Sequence, residues 1–153
     1  FKKEDRKVRK KIFDFYLKHK KQVNNWDLVD LSAPHIVGEY LYAYDRINIK
    51  VIDELNKSKI LWYRRISILS TWAYIKKRDL NPCLRLSKQL LSDKEDLMHK
   101  AVGWMLREAW KRDWQRVEQF IRTNYDHMPR TMLRYAIEKI DQPKRKMILK
   151  GEF

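Results

Sequence analysis

Apolar residues recur every three to four positions along most of the chain, separated by lysine, arginine and acidic residues, which is the period of amphipathic helices. Over residues 2–20, Val8, Ile12, Phe15 and Tyr16 form such a stripe among many lysines and predict a first helix. Asn24 and Asn25 suit the cap of a second, starting near Trp26 and passing or bending at Pro34 toward Tyr42, with Leu28 and Leu31 on its apolar side. The pattern then predicts helices over 51–55 and 60–75, and over 83–91 and 93–110, the last capped by Ser92 or Asp93. A final pair is expected over 113–123 and 129–140, with Pro129 at the first helical position.

These helices pair into hairpins that recur after roughly 35–40 residues, the period of HEAT and armadillo repeats. With three glycines and four prolines, the chain has too few turn residues for a many-stranded β protein. The expected fold is therefore all-α, a HEAT-like or armadillo-like helical-repeat solenoid, read as a single domain over 1–153. In such a stack one helix of each pair lines the concave surface. Here the second helices carry Trp26, Arg65, Trp104 and Arg134, so function is expected there. Residues 144–153, with Lys144, Arg145, Lys146 and Lys150, are read as a loosely ordered basic tail, solvated or clamping phosphate.

Charge adds a partner to this picture. The formal net charge is +15, a field that attracts polyanions and lets Lys and Arg displace counterions from a phosphate backbone. Nucleic acid is the leading expectation over a merely soluble basic surface. A lone cysteine, Cys83, forms no internal disulfide, and no apolar run approaches the roughly 20 residues that span a bilayer. We therefore expect a cytoplasmic monomer, in a bacterial cytoplasm or nucleoid, with no membrane partner. The chain opens at Phe1 inside a helical pattern, so N-terminal sequence is expected to precede it.

Candidate chemistry sits on three helices. In 93–110, Met98, Ala101, Val102, Met105, Leu106 and Ala109 cluster on one side and are assigned to the core. Trp104 falls opposite, with Lys100, Arg107 and Lys111, where it could meet a sugar or base between phosphates, or cover a neighbouring repeat. Arg64 and Arg65 are suited to bidentate phosphate contacts, or to an ion pair between repeats. Trp26 and Asp30, four apart, project together. A carboxylate in a positive groove could face the charge developing on a deoxyribose as its glycosidic bond breaks, or could simply pair with Arg65 or a lysine. His19, His35, His99 and His127 lack metal-ligand spacing and Cys83 has no nucleophile signature, so no metal or cofactor is expected.

Four strings then act jointly: Asn25-Trp26-Asp27-Leu28-Val29-Asp30 with Ser32-Ala33-Pro34-His35; Arg64-Arg65; Lys100-Ala101-Val102-Gly103-Trp104-Met105-Leu106-Arg107-Glu108; and Met128-Pro129-Arg130-Thr131 through Leu133-Arg134-Tyr135-Ala136. In this order, over nearly the whole chain, they resemble the DNA alkylation repair family. The resemblance implies a solenoid cradling double-stranded alkylated DNA and a monofunctional glycosylase that releases cationic purines such as 3-methyladenine and 7-methylguanine. It implies that Asp30 is the catalytic carboxylate, that Trp26 and Trp104 frame the lesion's sugar, and that Arg65 contacts phosphate, with Arg64, Lys100, Arg107, Lys111, Arg130 and Arg134 also on DNA. It further implies N-terminal helices beyond these 153 residues. One turn past Arg65 stands Leu69, where another aromatic is expected, with Trp72 further along. Two other functions fit the charge: a non-catalytic solenoid for distorted or branched DNA, and a scaffold for an acidic protein.

Overall fold

A computed structural model describes residues 5–46 and 49–153. Among them every regular element is helical. The expected start of the first helix at residues 2–4 lies outside the described residues. No helix among the described residues is long and apolar enough to cross a membrane. The chain divides into two compact units, Phe1–Tyr74 and Ile75–Phe153, and each is described by itself.

In the first unit, α1 (Arg6–Lys18) begins at Asp5, whose carboxylate accepts from the Val8 amide. Its inward face is Phe13 and Tyr16, while Val8 and Phe15 of the expected stripe are exposed. Phe13 explains the rotation, since its ring stacks on Tyr40 at 4.4 Å between centroids. Helix α2 (Trp26–Ala33) is capped by Asn25, which accepts from the Leu28 amide at 2.9 Å. The rod does not stop at Pro34. It widens into a π-helical turn, Pro34–Gly38, and continues as α3 (Glu39–Tyr44). Proline has no N–H and its ring crowds the carbonyl one turn back, and a wider turn relieves both problems.

Along this rod Val29, Ala33, Val37 and Leu41 make the buried stripe, one residue in every four. Leu28 and Leu31, expected on the apolar side, are exposed instead, because the Val29 stripe faces α5 (Leu61–Ser70). Gly38 allows the approach: a Cβ there would lie 2.3 Å from the Ser70 carbonyl oxygen. Helix α4 (Lys50–Asn56) covers α5 from another side, and Ser67 Oγ donates to the Ile52 carbonyl at 2.7 Å. A single turn, α6 (Trp72–Ile75), lies at the boundary of the units.

The second unit holds α7 (Asn81–Gln89), α8 (Asp96–Trp110), α9 (Trp114–Asn124), α10 (Arg130–Ala136) and α11 (Gln142–Lys150). Helix α8 packs on α10 and α7 on α9, the layering expected of stacked hairpins. Its core stripe is the expected one: Met98, Ala101, Val102, Met105, Leu106 and Ala109 are all fully buried. The cap differs, for Glu95 precedes α8 without a side-chain bond and Asp93 Oδ1 accepts from the Glu95 amide instead. Pro129 stands at the cap of α10 rather than inside it.

The segment expected as a loose tail is a helix. Asp141 accepts from the Lys144 amide, Pro143 lies in the first turn, and Gly151 closes the helix in the left-handed region at φ 80°. Ile148 is buried, and both Tyr125 Oη (2.8 Å) and Arg130 Nη1 (2.9 Å) donate to the Leu149 carbonyl. Charge concealed this: four basic residues outweigh the Ile148 anchor in any reading of hydropathy.

Candidate functional site

Asn25 starts α2 one residue before Trp26, so the indole stands at the mouth of the helix and is 54% exposed. Asp30 follows one turn later, above the buried Val29 and Ala33. Because α5 packs against α2, Arg65 is brought to Asp30. Its Nε donates to Oδ1 and its Nη2 to Oδ2, both at 2.8 Å, a fork-to-fork pair. The Arg65 side chain is 6% exposed and that of Asp30 17%, so the carboxylate keeps an edge toward solvent while the guanidinium is enclosed. The arrangement is a charge-assisted clamp that fixes the orientation of the carboxylate. Both roles weighed for these residues thus bear on one contact, since Arg65 is the partner of Asp30.

Close by, Tyr16 Oη and Ser32 Oγ share a hydrogen bond at 2.9 Å, and Ser32 Oγ also donates to the Leu28 carbonyl. Burial pushes the Tyr16 phenol up to about 12, against a smaller opposing effect of that hydrogen bond. Arg64 turns elsewhere: its Nη1 donates to the carbonyls of Ser58 (2.9 Å) and Lys59 (3.0 Å), holding the approach to α5. Leu69, at the register where an aromatic is expected, is fully buried and lines no surface. Trp72 is half-buried beside the His35 ring, 6.0 Å between centroids.

The second unit carries Trp104 and its cations. Trp104 is half-buried on α8, outside the core stripe. Around it Lys100 pairs with Asp96 at 2.9 Å, and hydrogen bonding to this ammonium holds the Asp96 carboxyl below its ordinary value. Arg107 pairs with Glu138, with Glu108 at 3.8 Å, and Lys111 pairs with Glu108 at 2.7 Å. Arg130 donates to Tyr125 Oη and to Leu149, while Arg134 is exposed. Within the first unit the structure brings Arg65 to Asp30; within the second, Lys100, Trp104 and Arg107 lie on α8 with Lys111 at its end, and Arg130 and Arg134 lie on α10. Exposed pairs such as Lys100–Asp96 contribute little to stability.

Sequence reasoning missed a third grouping, Trp110, Trp114 and Lys144, in which the Lys144 ammonium lies 4.5 Å from the Trp114 ring centroid and 5.5 Å from that of Trp110. A four-residue spacing of the two indoles was its only signal, and the helix break at Asp113 hid it.

Comparison with known proteins bears on these sites. No curated protein sequence gives a match to this chain. A family model does, over residues 1–140, a span that includes Trp26, Asp30, Arg65 and Trp104. The chain belongs to the family of DNA alkylation repair enzymes.

Proposed function

We propose that the protein is a DNA glycosylase that releases cationic alkylated purines, such as 3-methyladenine and 7-methylguanine, from duplex DNA. The observation that carries this reading is the Asp30–Arg65 clamp, a carboxylate fixed at both oxygens and still partly open to solvent, one helical turn from the exposed Trp26. An alkylated purine already bears a positive charge. The C1′–N bond can therefore break with its electron pair passing to the base, which leaves neutral and needs no general acid. Positive charge develops on the sugar, and a preorganised carboxylate is suited to stabilise it. Water then bonds to C1′ and gives up a proton, to Asp30 or to solvent.

In this reading Trp26 lies against the sugar, Arg65 orients Asp30, and the α8 cations contact phosphate. The enzyme needs no cofactor and acts as a monomer in the cytoplasm.

A second reading, a non-catalytic protein for distorted or branched DNA, is favoured by Leu69, a buried leucine at the position where another aromatic is expected. The two separate on one comparison. Incubation with methylated and unmodified duplex of the same sequence is expected to give free alkylpurine from the first only. Salt-sensitive binding to both, with no base released from either, would replace the first reading by the second.

A further inference from the structure

Helix α11 and the junction of α8 with α9 build an aromatic and basic surface of their own. Trp110 ends α8 and Trp114 begins α9, with ring centroids 6.5 Å apart and planes inclined at 42°. Trp114 is 49% exposed. Beside the rings is an open corner of about 290 Å³, lined by Trp110, Trp114, Lys139, Ile140, Asp141 and Lys144. Lys144 lies on the indole faces and pairs with Glu118. Helix α11 carries Lys144, Arg145, Lys146 and Lys150 and no acidic residue.

Surface indoles beside ammonium groups form a stacking platform once Lys144 swings off their faces, since any nucleobase offers a flat π-face and its phosphates seek the cations. The corner is roomy enough for one base. A base inside a duplex has both faces covered by its neighbours and cannot enter, whereas an unpaired base can. Lys144 would then exchange its ring contact for a phosphate. Glu118 and Asp141 also make the corner resemble a cage for a cationic group, but a built-in ammonium already lies there, and the basic helix repels a second.

We propose that the Trp110–Trp114 corner, with Lys139 and Lys144, binds an unpaired base of single-stranded nucleic acid. This site is independent of the chemistry assigned to Asp30. The test is a fluorescence-anisotropy titration of the full chain with a labelled oligothymidine strand and with a blunt duplex of equal length, at one salt concentration. Trp114→Ala is expected to weaken single-strand binding by about 5- to 100-fold, the loss of one stacked base, and to leave duplex binding within about twofold. Trp114→Phe, which keeps a ring, is expected to retain most of the affinity, and Lys139→Glu to weaken the single strand selectively. Unchanged single-strand affinity in Trp114→Ala and Lys139→Glu would overturn the proposal. So would equal losses for strand and duplex, or a trimethyllysine peptide that binds more tightly than the strand and gains from Lys144→Ala.

Discussion

Arg65 shows how one side chain can be read in two ways until its neighbour is known. A buried guanidinium is stable only with its donors satisfied, and the Asp30 carboxylate supplies two acceptors in the matching geometry. Arg65→Met is expected to lower stability by about 2–4 kcal/mol, because the remaining carboxylate loses its fork in a partly buried place. Urea unfolding measures this, and Asp30→Leu combined with Arg65→Met should recover part of the loss. An unchanged midpoint for the single variant would mean that the pair contributes nothing. Tyr16 gives a second test. Its folded value, about 12, lies above the ordinary 10, so the protonated phenol is favoured by folding. That contribution is complete below pH 10 and disappears as pH rises through 12; Tyr16→Phe should flatten the stability profile across this window. A profile as steep as wild type would place the alkaline loss elsewhere. The sequence made Trp26 and Asp30 visible as neighbours through helical spacing. It could not decide the partner of Asp30, because residues 35 apart meet only through the packing of α2 on α5.

At the scale of elements, periodicity was most informative where a helix has one buried face. Every residue assigned to the α8 stripe is buried, and Trp104 lies outside it. The same reasoning misplaced Leu28, Leu31 and Phe15, because apolar residues there occur on more than one face of the helix and only the position of the partner selects between them. The basic run of α11 misled in another way: a single buried isoleucine leaves little trace in hydropathy. Close approach of helices is likewise invisible until the partner is placed. A Cβ on Gly103 would lie 2.4 Å from Tyr135 Cβ and 2.6 Å from the Met132 carbonyl oxygen, so α8 meets α10 through this glycine. Alanine is the better helix former by about 1 kcal/mol. The clash is with a Cβ and a backbone carbonyl, however, neither of which can rotate away, and should win; Gly103→Ala is expected to destabilise by about 1–3 kcal/mol, read from the urea midpoint. A neutral or stabilising result would contradict the tight α8–α10 contact.

For the molecule as a whole, net charge points to a polyanion but not to chemistry. Several cations that sequence alone assigns to phosphate are held within the protein, among them Arg64, Arg107 and Arg130, and charge counting has no access to that. Duplex affinity should still fall steeply with salt, with a log–log slope steeper than about −4 if five or more phosphates are neutralised. A shallow slope would show that the +15 charge is spent on internal pairs and solubility. Membership in the family of DNA alkylation repair enzymes gives the charge its setting, and Asp30 gives the proposed reaction its centre. The most direct measurement is the single-turnover rate of alkylpurine release from methylated duplex by the full chain, wild type beside Asp30→Asn, with duplex affinity followed in parallel. Release by wild type is expected, with a rate about 100- to 1,000-fold lower in Asp30→Asn and affinity retained; equal rates in the two proteins would rule out Asp30 as the reaction's carboxylate.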